Sequence, residues 1–193
     1  SLKIFAKLKR KRDIATCLNN IAAIYKDQGK IDEAYKYNLQ CLKLRQEIKD
    51  SNGLATSYNN IGLIFSSQGR IKEALDYFLP ALRIYEKMND AEGISTVLTN
   101  IAFIYKSQQE YDEAFSYLRR ALTVVRKANQ QYSMGYVLNS LGGVFDEINQ
   151  PDSALFYYRE ALKVRSEIDD KQGVSYSLKN IANIYLKTGR PQD

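Results

Sequence analysis

Apolar residues between positions 54 and 85 recur every three or four places and form two stripes with a polar break between them. The break is Gln68-Gly69, and glycine suits a helix C-terminus that needs a positive φ. Spacing of this kind predicts two amphipathic α-helices joined by a short turn. The first stripe comprises Leu54, Tyr58, Ile61, Gly62 and Phe65, and the second comprises Ile71, Ala74, Leu75, Phe78, Leu82 and Tyr85.

The same pattern returns every forty residues along the chain. Equivalent positions of the repeats, here called a column, hold residues of the same kind. In one column the residue is always small, and in the column three positions later it is always aromatic. The repetition predicts an all-α chain of stacked helix pairs, with complete repeats at 11–50, 51–90, 91–130 and 131–170, and the first helix of a fifth repeat with the start of its second at 171–193. The small column is Ala22, Gly62, Ala102, Gly142 and Ala182, and the aromatic column is Tyr25, Phe65, Tyr105, Phe145 and Tyr185.

Both ends of the sequence align onto the interior of a repeat. Residues 1–15 align without a gap onto 81–95, so residues 1–9 are expected to be the end of a preceding second helix. The last residues, "TGRPQD", align onto "QGRIKE" of the second repeat. We therefore expect a fragment of a longer array. Its exposed ends could self-associate, since Ile181, Ile184 and Tyr185 would lack cover.

Two local features of the helices carry predictions of their own. Pro80 lies in the middle of a predicted helix, where it removes one hydrogen bond. Its neighbours keep the repeat pattern, so a continuous, bent helix is expected. Cys17 and Cys41 fall on apolar helix faces and are expected to be buried thiols, with a disulfide between them left open.

The net charge of +6 comes from the first twelve residues, which hold six basic side chains and no acid. In the rest of the chain, basic and acidic side chains are equal in number, so its net charge is zero. A solvated basic helix end is the preferred interpretation of "KLKRKR", and nucleic-acid binding is not expected. No apolar run approaches the ~20 residues of a membrane span, and no leader opens the sequence, so membrane contact is not expected either. These features favour a cytoplasmic location; a periplasmic one stays open if a leader precedes these residues.

The chain offers little for catalysis. It contains no histidine, which excludes Ser-His-Asp and Cys-His arrangements and most zinc sites. The acidic pairs Asp32-Glu33 and Asp112-Glu113 fall in the first turns of helices, where negative charge is stabilised by the helix dipole. We expect no enzymatic activity, cofactor, metal or small-molecule substrate.

The repeat resembles the tetratricopeptide repeat, most clearly at Tyr58, Ile61, Gly62, Phe65, Gly69, Ala74, Phe78 and Ala81. Forty-residue units with "NNIG" or "NNIA" are similar to those of kinesin light chains, spindle-orientation scaffolds and bacterial regulators. The resemblance implies a right-handed superhelical solenoid whose first helices line a concave groove. It also implies a non-enzymatic scaffold that binds a protein or peptide. The alternative is the sensory or dimerising region of a bacterial signalling protein, either a histidine kinase or a transcription regulator.

The face of each first helix opposite its apolar stripe predicts the binding residues. A carboxamide both donates and accepts, so an asparagine ladder can meet the backbone of an extended peptide. The alternative is that the asparagines only fix the stacking of neighbouring helices. Lys179 and Asn183 also match the first half of the carboxylate clamp of chaperone-binding repeats. The predicted groove residues are Asn20, Asn59, Asn60, Leu63, Asn100, Phe103, Tyr136, Asn139, Tyr176, Lys179, Asn180 and Asn183.

Overall fold

The computed structural model describes the backbone of residues 2–189 and the side chains of residues 7–189. Within this span the chain forms nine α-helices and no strand. The all-α prediction is therefore confirmed. The helices are α1 (Leu2–Asp27), α2 (Ile31–Glu47), α3 (Ser51–Ser67), α4 (Ile71–Met88), α5 (Ala91–Ser107), α6 (Tyr111–Lys127), α7 (Gln131–Glu147), α8 (Pro151–Glu167) and α9 (Lys171–Thr188).

The chain divides between Asn89 and Asp90 into two compact units. In the N-terminal unit, α1 packs on α2, α2 on α3, and α3 on α4. In the C-terminal unit each helix from α5 to α9 packs on the next, and the first helices α5, α7 and α9 also contact their neighbours. Each unit is thus a stack of helix pairs, as the sequence predicts.

Every helix from α1 to α9 is followed by one residue in the left-handed region of the backbone, and these residues recur every twenty positions. Three are glycines, namely Gly69, which the sequence singled out, and its equivalents Gly29 and Gly189, with φ between 63° and 74°. The other six adopt the same conformation with a side chain, at a cost of about 1 kcal/mol each. They are Lys49, Asn89, Gln109, Asn129, Asn149 and Asp169.

Three of the polar turns between repeats end in an aspartate that caps the next helix. Asp50 accepts a hydrogen bond from the amide of Gly53, at 3.1 Å, and the equivalent bonds of Asp90 and Asp170 are 3.0 and 2.9 Å. A methyl group at Gly53 would lie 2.4 Å from the capping carboxylate, so the cap requires glycine. The N-cap residue of α7, at the start of the fourth repeat, is Gln130, which makes no side-chain cap.

The first helix differs from the prediction. The alignment predicts that one helix ends near residue 9 and another begins, but α1 runs without interruption from Leu2 to Asp27. The basic run "KLKRKR" lies inside it. Arg10 is equivalent in the repeat to Asp50, which caps α3. Asp13 is equivalent to Gly53, whose lack of a side chain allows that cap to form. Without a capping residue, no local signal ends the helix there.

The core of α4 explains how its proline is accommodated. The helix is continuous from Ile71 to Met88 with Pro80 inside it, which confirms the predicted continuity. Phe78 and Ala81, on either side of the proline, are fully buried. Packing therefore holds the helical path where the backbone lacks one donor.

The two cysteines have different environments. Cys41 is fully buried, and its thiol donates to the carbonyl oxygen of Ala15 at 3.1 Å. Cys17 is exposed, so the prediction that it is buried is wrong. Its equivalent in α3, Ser57, is buried against α2, and the described residues place no such helix in front of α1. Both thiols are free.

The last described helix also corrects an expectation. Ile184 is almost completely buried, in a cluster with Ala154, Leu155 and Tyr158 of α8. Ile181 and Tyr185 are partly buried against the same cluster, because this face of α9 packs on the helix before it. The apolar side chains that α9 exposes are instead Tyr176, Leu178 and Leu186.

Candidate peptide-binding groove

The two asparagine columns of the first helices have different surroundings. In the earlier column, Asn59 and Asn139 are buried to more than nine-tenths, whereas Asn19 is half-buried. The Asn139 amide donates to the hydroxyl of Ser177 at 3.0 Å, and that hydroxyl lies 3.3 Å from the Asn139 carbonyl oxygen. This bond joins α7 to α9, so Asn139 fixes the stacking of two first helices.

In the N-terminal unit, Asn60 of the later column also bonds to a neighbouring first helix. The amide of Asn60 donates to the carbonyl oxygen of Asn19 at 2.7 Å, joining α3 to α1. Beside this pair lies a cavity of about 50 Å³, here called the N-terminal cavity. It is lined by Asn19, Ala22, Ala23, Lys26, Asn38, Asn60 and Leu63.

The C-terminal unit contains a much larger space between its first helices. Its volume is about 350 Å³, and we call it the C-terminal cavity. Six of the predicted groove residues line it: Asn100, Phe103, Tyr136, Asn139, Tyr176 and Asn180. The other lining residues are Thr99, Ala102, Lys106, Leu118, Ser140, Gly143, Val144, Asp146, Glu147 and Tyr158.

The two cavities occupy equivalent places in the repeat. Every residue that lines the N-terminal cavity has its counterpart, eighty positions later, in the wall of the C-terminal cavity. A further step of forty leads to a second set in the same wall, on α7, α8 and α9. Gly143 belongs to both sets. Its counterpart in the N-terminal unit is Leu63, a half-buried wall residue. Without a side chain at position 143, two adjacent spaces join into one.

Two neighbouring glycines of α7 have different packing. A methyl group at Gly142 would lie 2.6 Å from the ring of Tyr158, so this glycine is required by the core. A methyl group at Gly143 would meet only the Tyr158 hydroxyl, at the ordinary contact distance of 3.7 Å. Packing therefore does not demand glycine at position 143.

The Tyr158 hydroxyl lies in the wall of the cavity although the side chain is only 4% exposed. It makes no hydrogen bond to any residue between 7 and 189. Burial raises the pKa of this hydroxyl well above its ordinary value, and the nearby carboxylate of Asp146 raises it further. It is therefore a neutral hydroxyl that can donate or accept.

Charged groups cluster where α7 ends. Lys106 of α5 pairs with Glu147 at 3.3 Å, and Lys187 of α9 pairs with Asp146 at 2.8 Å. Asp146, Glu147 and Lys106 line the cavity, whereas Lys187 does not. The C-terminal end of a helix carries a partial negative charge. Each carboxylate therefore has a lysine partner, and the end of α7 adds a partial negative charge to this part of the wall.

The remaining predicted residues lie elsewhere. Asn20, Lys179 and Asn183 are exposed, and the described cavities do not include them. The sequence missed Tyr158, Lys106 and Asp146 because they come from other helices or from the ends of first helices. A signal for Gly143 was available, since its equivalents are Ala23, Leu63, Phe103 and Asn183.

Two other kinds of site were sought among the described residues. From residue 2 to residue 189, no helix combines the length and apolarity that crossing a bilayer requires. Over the same span, histidine, cysteine and acidic side chains form no group of three that could hold a metal ion.

A family model described as Tetratricopeptide repeat matches residues 13–87 and 93–167. These segments make up more than half of the chain, so the protein belongs to the tetratricopeptide repeat family. The fold of this family is typical of protein-interaction scaffolds and is generally non-enzymatic. No curated protein matches the sequence at a significant level.

Solved structures share the fold at low sequence identity. BtubC (BKLC) from P. vanneervenii is 20% identical, with a TM-score of 0.73 over 95% of this chain and 82% of that one. Aspartyl phosphate phosphatase F from Bacillus subtilis is 16% identical, with a TM-score of 0.78 over 91% of this chain and 49% of that one. The repeats of a putative kinesin light chain from Podosopora anserina are 15% identical, with a TM-score of 0.68 over 93% and 88%. At these identities the similarity shows the fold alone.

Proposed function

We propose that this protein is a non-enzymatic interaction scaffold that binds a peptide segment of a partner protein in the C-terminal cavity. One observation carries the proposal: a space of about 350 Å³ is lined by side chains from three successive first helices. A volume of that size is in the range of ligand pockets, about 300–1,000 Å³. The tetratricopeptide fold supports the proposal, because it is typical of protein-interaction scaffolds.

The polar wall suits a peptide backbone. Asn100, Ser140 and Asn180 occupy the same column on α5, α7 and α9, and all three line the cavity. Amide and hydroxyl side chains can both donate and accept, so they can bond to backbone groups without selecting a particular side chain. A ladder with one rung on each first helix would contact an extended segment at several places.

The aromatic wall suits side chains of the same segment. Phe103, Tyr136 and Tyr176 line the cavity, one on each first helix, and they are 59%, 53% and 57% exposed. Half-exposed aromatic rings beside a cavity offer apolar area that a partner can bury. Backbone bonds would then supply general affinity, and the aromatic residues would supply preference.

The N-terminal cavity is not proposed as a second site. Its volume of about 50 Å³ is far below the roughly 300–1,000 Å³ of ligand pockets. The Asn60–Asn19 bond uses a donor and an acceptor that a peptide would need. We therefore propose for Asn60 the alternative role, which is to fix helix stacking.

A display selection against the 193-residue chain, followed by calorimetry with the recovered peptide, tests the proposal. Asn180→Ala should weaken binding about tenfold, since a hydrogen bond to a buried peptide group is worth roughly 1–1.5 kcal/mol. The thermal unfolding curve should be nearly unchanged. Asn52→Ala, an exposed position on α3, is the matched control and should leave affinity unchanged.

Two results would contradict the proposal. One is a selection that recovers no peptide competing for the C-terminal unit. The other is a recovered peptide whose affinity is the same for Asn180→Ala and Asn52→Ala, since its binding site would then lie elsewhere.

A further inference from the structure

We propose that the C-terminal cavity holds a basic side chain of the bound peptide, with arginine preferred over lysine. The inference rests on the proposed function, because it names the kind of residue that the same site selects. Four features of the cavity carry it: the missing side chain at position 143, the buried Tyr158 hydroxyl, the acidic end of α7, and the aromatic wall.

The missing side chain marks the place where a guest enters. Glycine in a helix interior is destabilising relative to alanine, and nothing in the packing of α7 requires it at position 143. At the same position of the repeat, Leu63 and Phe103 carry large side chains. Because Gly143 is where the two adjacent spaces meet, a side chain there would divide the cavity. An inserted side chain from the peptide would occupy that volume instead.

The Tyr158 hydroxyl gives the inserted side chain a polar partner. The tyrosine is more than nine-tenths buried, and its hydroxyl makes no hydrogen bond to the residues that the structure describes. The hydroxyl faces the cavity beside Gly143, and a polar group that a bound guest covers needs a hydrogen-bond partner. A purely hydrocarbon side chain would leave this hydroxyl unpaired, whereas a guanidinium or ammonium group can donate to it.

The charge of the cavity selects the sign of the guest. Two carboxylates, Asp146 and Glu147, line it at the C-terminal end of α7, and they are paired with Lys187 and Lys106. Both pairs are partly exposed, and pairs of this kind contribute little to stability. A basic guest can therefore replace a lysine as the partner of either carboxylate. An acidic guest would meet the two carboxylates and the partial negative charge of the helix end.

The aromatic wall favours arginine among the basic side chains. Tyr136 and Tyr176 stand on neighbouring first helices and line the same cavity as the two carboxylates. A cation over the face of an aromatic ring is attracted by the negative charge of that face. The planar guanidinium stacks on rings and bonds to carboxylates in a fork, whereas the ammonium of lysine acts as a point charge.

The test uses blocked alanine peptides that differ only at the central residue: arginine, lysine, leucine or glutamate. Each is titrated into the isotopically labelled 193-residue protein and followed by NMR shifts. The arginine peptide should bind about fivefold more tightly than the leucine peptide, as expected for roughly 1 kcal/mol of cation–π and charge interaction. The glutamate peptide should bind most weakly, and shifts should centre on α7.

Two variants locate the effect. Gly143→Leu, which copies the residue at position 63, should abolish arginine binding and leave the thermal melt unchanged or raised. Tyr158→Phe keeps the ring that packs on Gly142 and removes only the hydroxyl. It should lower the affinity for the arginine peptide severalfold and change the affinity for the leucine peptide little. This second variant gives a result even if Gly143→Leu does not fold.

The outcomes separate the inference from the proposed function. A leucine peptide that binds more tightly than the arginine peptide, and is lost in Gly143→Leu, would overturn the basic preference while the groove stands. Arginine binding unaffected by both variants would overturn the subsite. If none of these peptides binds, the inference fails, and the display selection still decides the groove.

Discussion

The two cavities show how one repeat gives two different surfaces. In the N-terminal unit the space is about 50 Å³ and is bounded by Leu63, with the Asn60–Asn19 bond beside it. In the C-terminal unit the equivalent position is Gly143, and the space is about 350 Å³. Helices α3 and α7, which carry these equivalent positions, are both 17 residues long.

The difference indicates that the repeat positions that hold the helix pairs together are distinct from the positions that we propose for recognition. The small and aromatic columns that hold helix pairs together face the core. A smaller residue at one position is matched by a larger residue on the helix that faces it. Glycine stands at positions 62 and 142, where the facing residues are Phe78 and Tyr158. Gly143, on the groove face, has no such facing partner, so this position can change without loss of the fold.

The largest expected effect separates the adjacent glycines of α7. Gly142→Ala should lower the free energy of unfolding by about 2–3 kcal/mol, because its methyl group would lie 2.6 Å from the Tyr158 ring. Gly143→Ala should raise it by about 0.5–1 kcal/mol, since alanine is the better helix former and meets no clash. Urea unfolding of both variants measures the two effects.

Equal losses for the two variants would break the comparison, since position 143 would then be as constrained by packing as position 142. Ser140→Ala, also on the groove side of α7, serves as a control with a small expected change.

A smaller effect is expected from the asparagines that join first helices. Asn139→Ala should destabilise the protein by about 1–2 kcal/mol, because it leaves the fully buried hydroxyl of Ser177 unpaired. Asn60→Ala should cost about 0.5 kcal/mol, because its partner Asn19 is reached by solvent, which can replace the bond. Thermal unfolding monitored by circular dichroism would rank them. The reverse ranking would show that the N-terminal pair is the more important stacking contact.

The smallest effect on the free energy of unfolding at neutral pH is expected for the buried tyrosines. Their ionisation affects stability only at alkaline pH. Burial raises the pKa of Tyr158 in the folded protein, and it raises the pKa of Tyr77 to about 12. A tyrosine with a raised pKa in the folded state stabilises fully below its unfolded value, about 10, and this contribution is lost as pH rises through the folded value. Stability should therefore fall above about pH 10.

Tyr158→Phe should reduce that alkaline loss more than Tyr77→Phe, because Tyr158 is the more buried of the two. Urea unfolding at a series of pH values between about 9 and 12 measures this difference. An identical pH profile for Tyr158→Phe and the unsubstituted protein would contradict the buried position of the hydroxyl.

The helices could be predicted because the repeat signals their type and spacing five times over. The asparagine ladder was harder, since two adjacent asparagines on one helix point in directions about 100° apart. Only the packing of neighbours distinguishes buried Asn59 from half-buried Asn60. The same limit applies to Cys17, whose repeat position is buried in α3 but exposed in α1, which has no preceding helix among the described residues.

The sequence by itself determined the nature of the protein: helix pairs, their forty-residue period and the small columns that allow close packing. These follow from local periodicity, which short-range hydrogen bonding and apolar burial convert directly into helices. The tertiary structure alone decided where the cavities lie and how large they are. The size of a cavity depends on side chains from three helices in the N-terminal unit and from five in the C-terminal unit. Gly143 and Tyr158 therefore shape the cavity together only when α7 packs on α8.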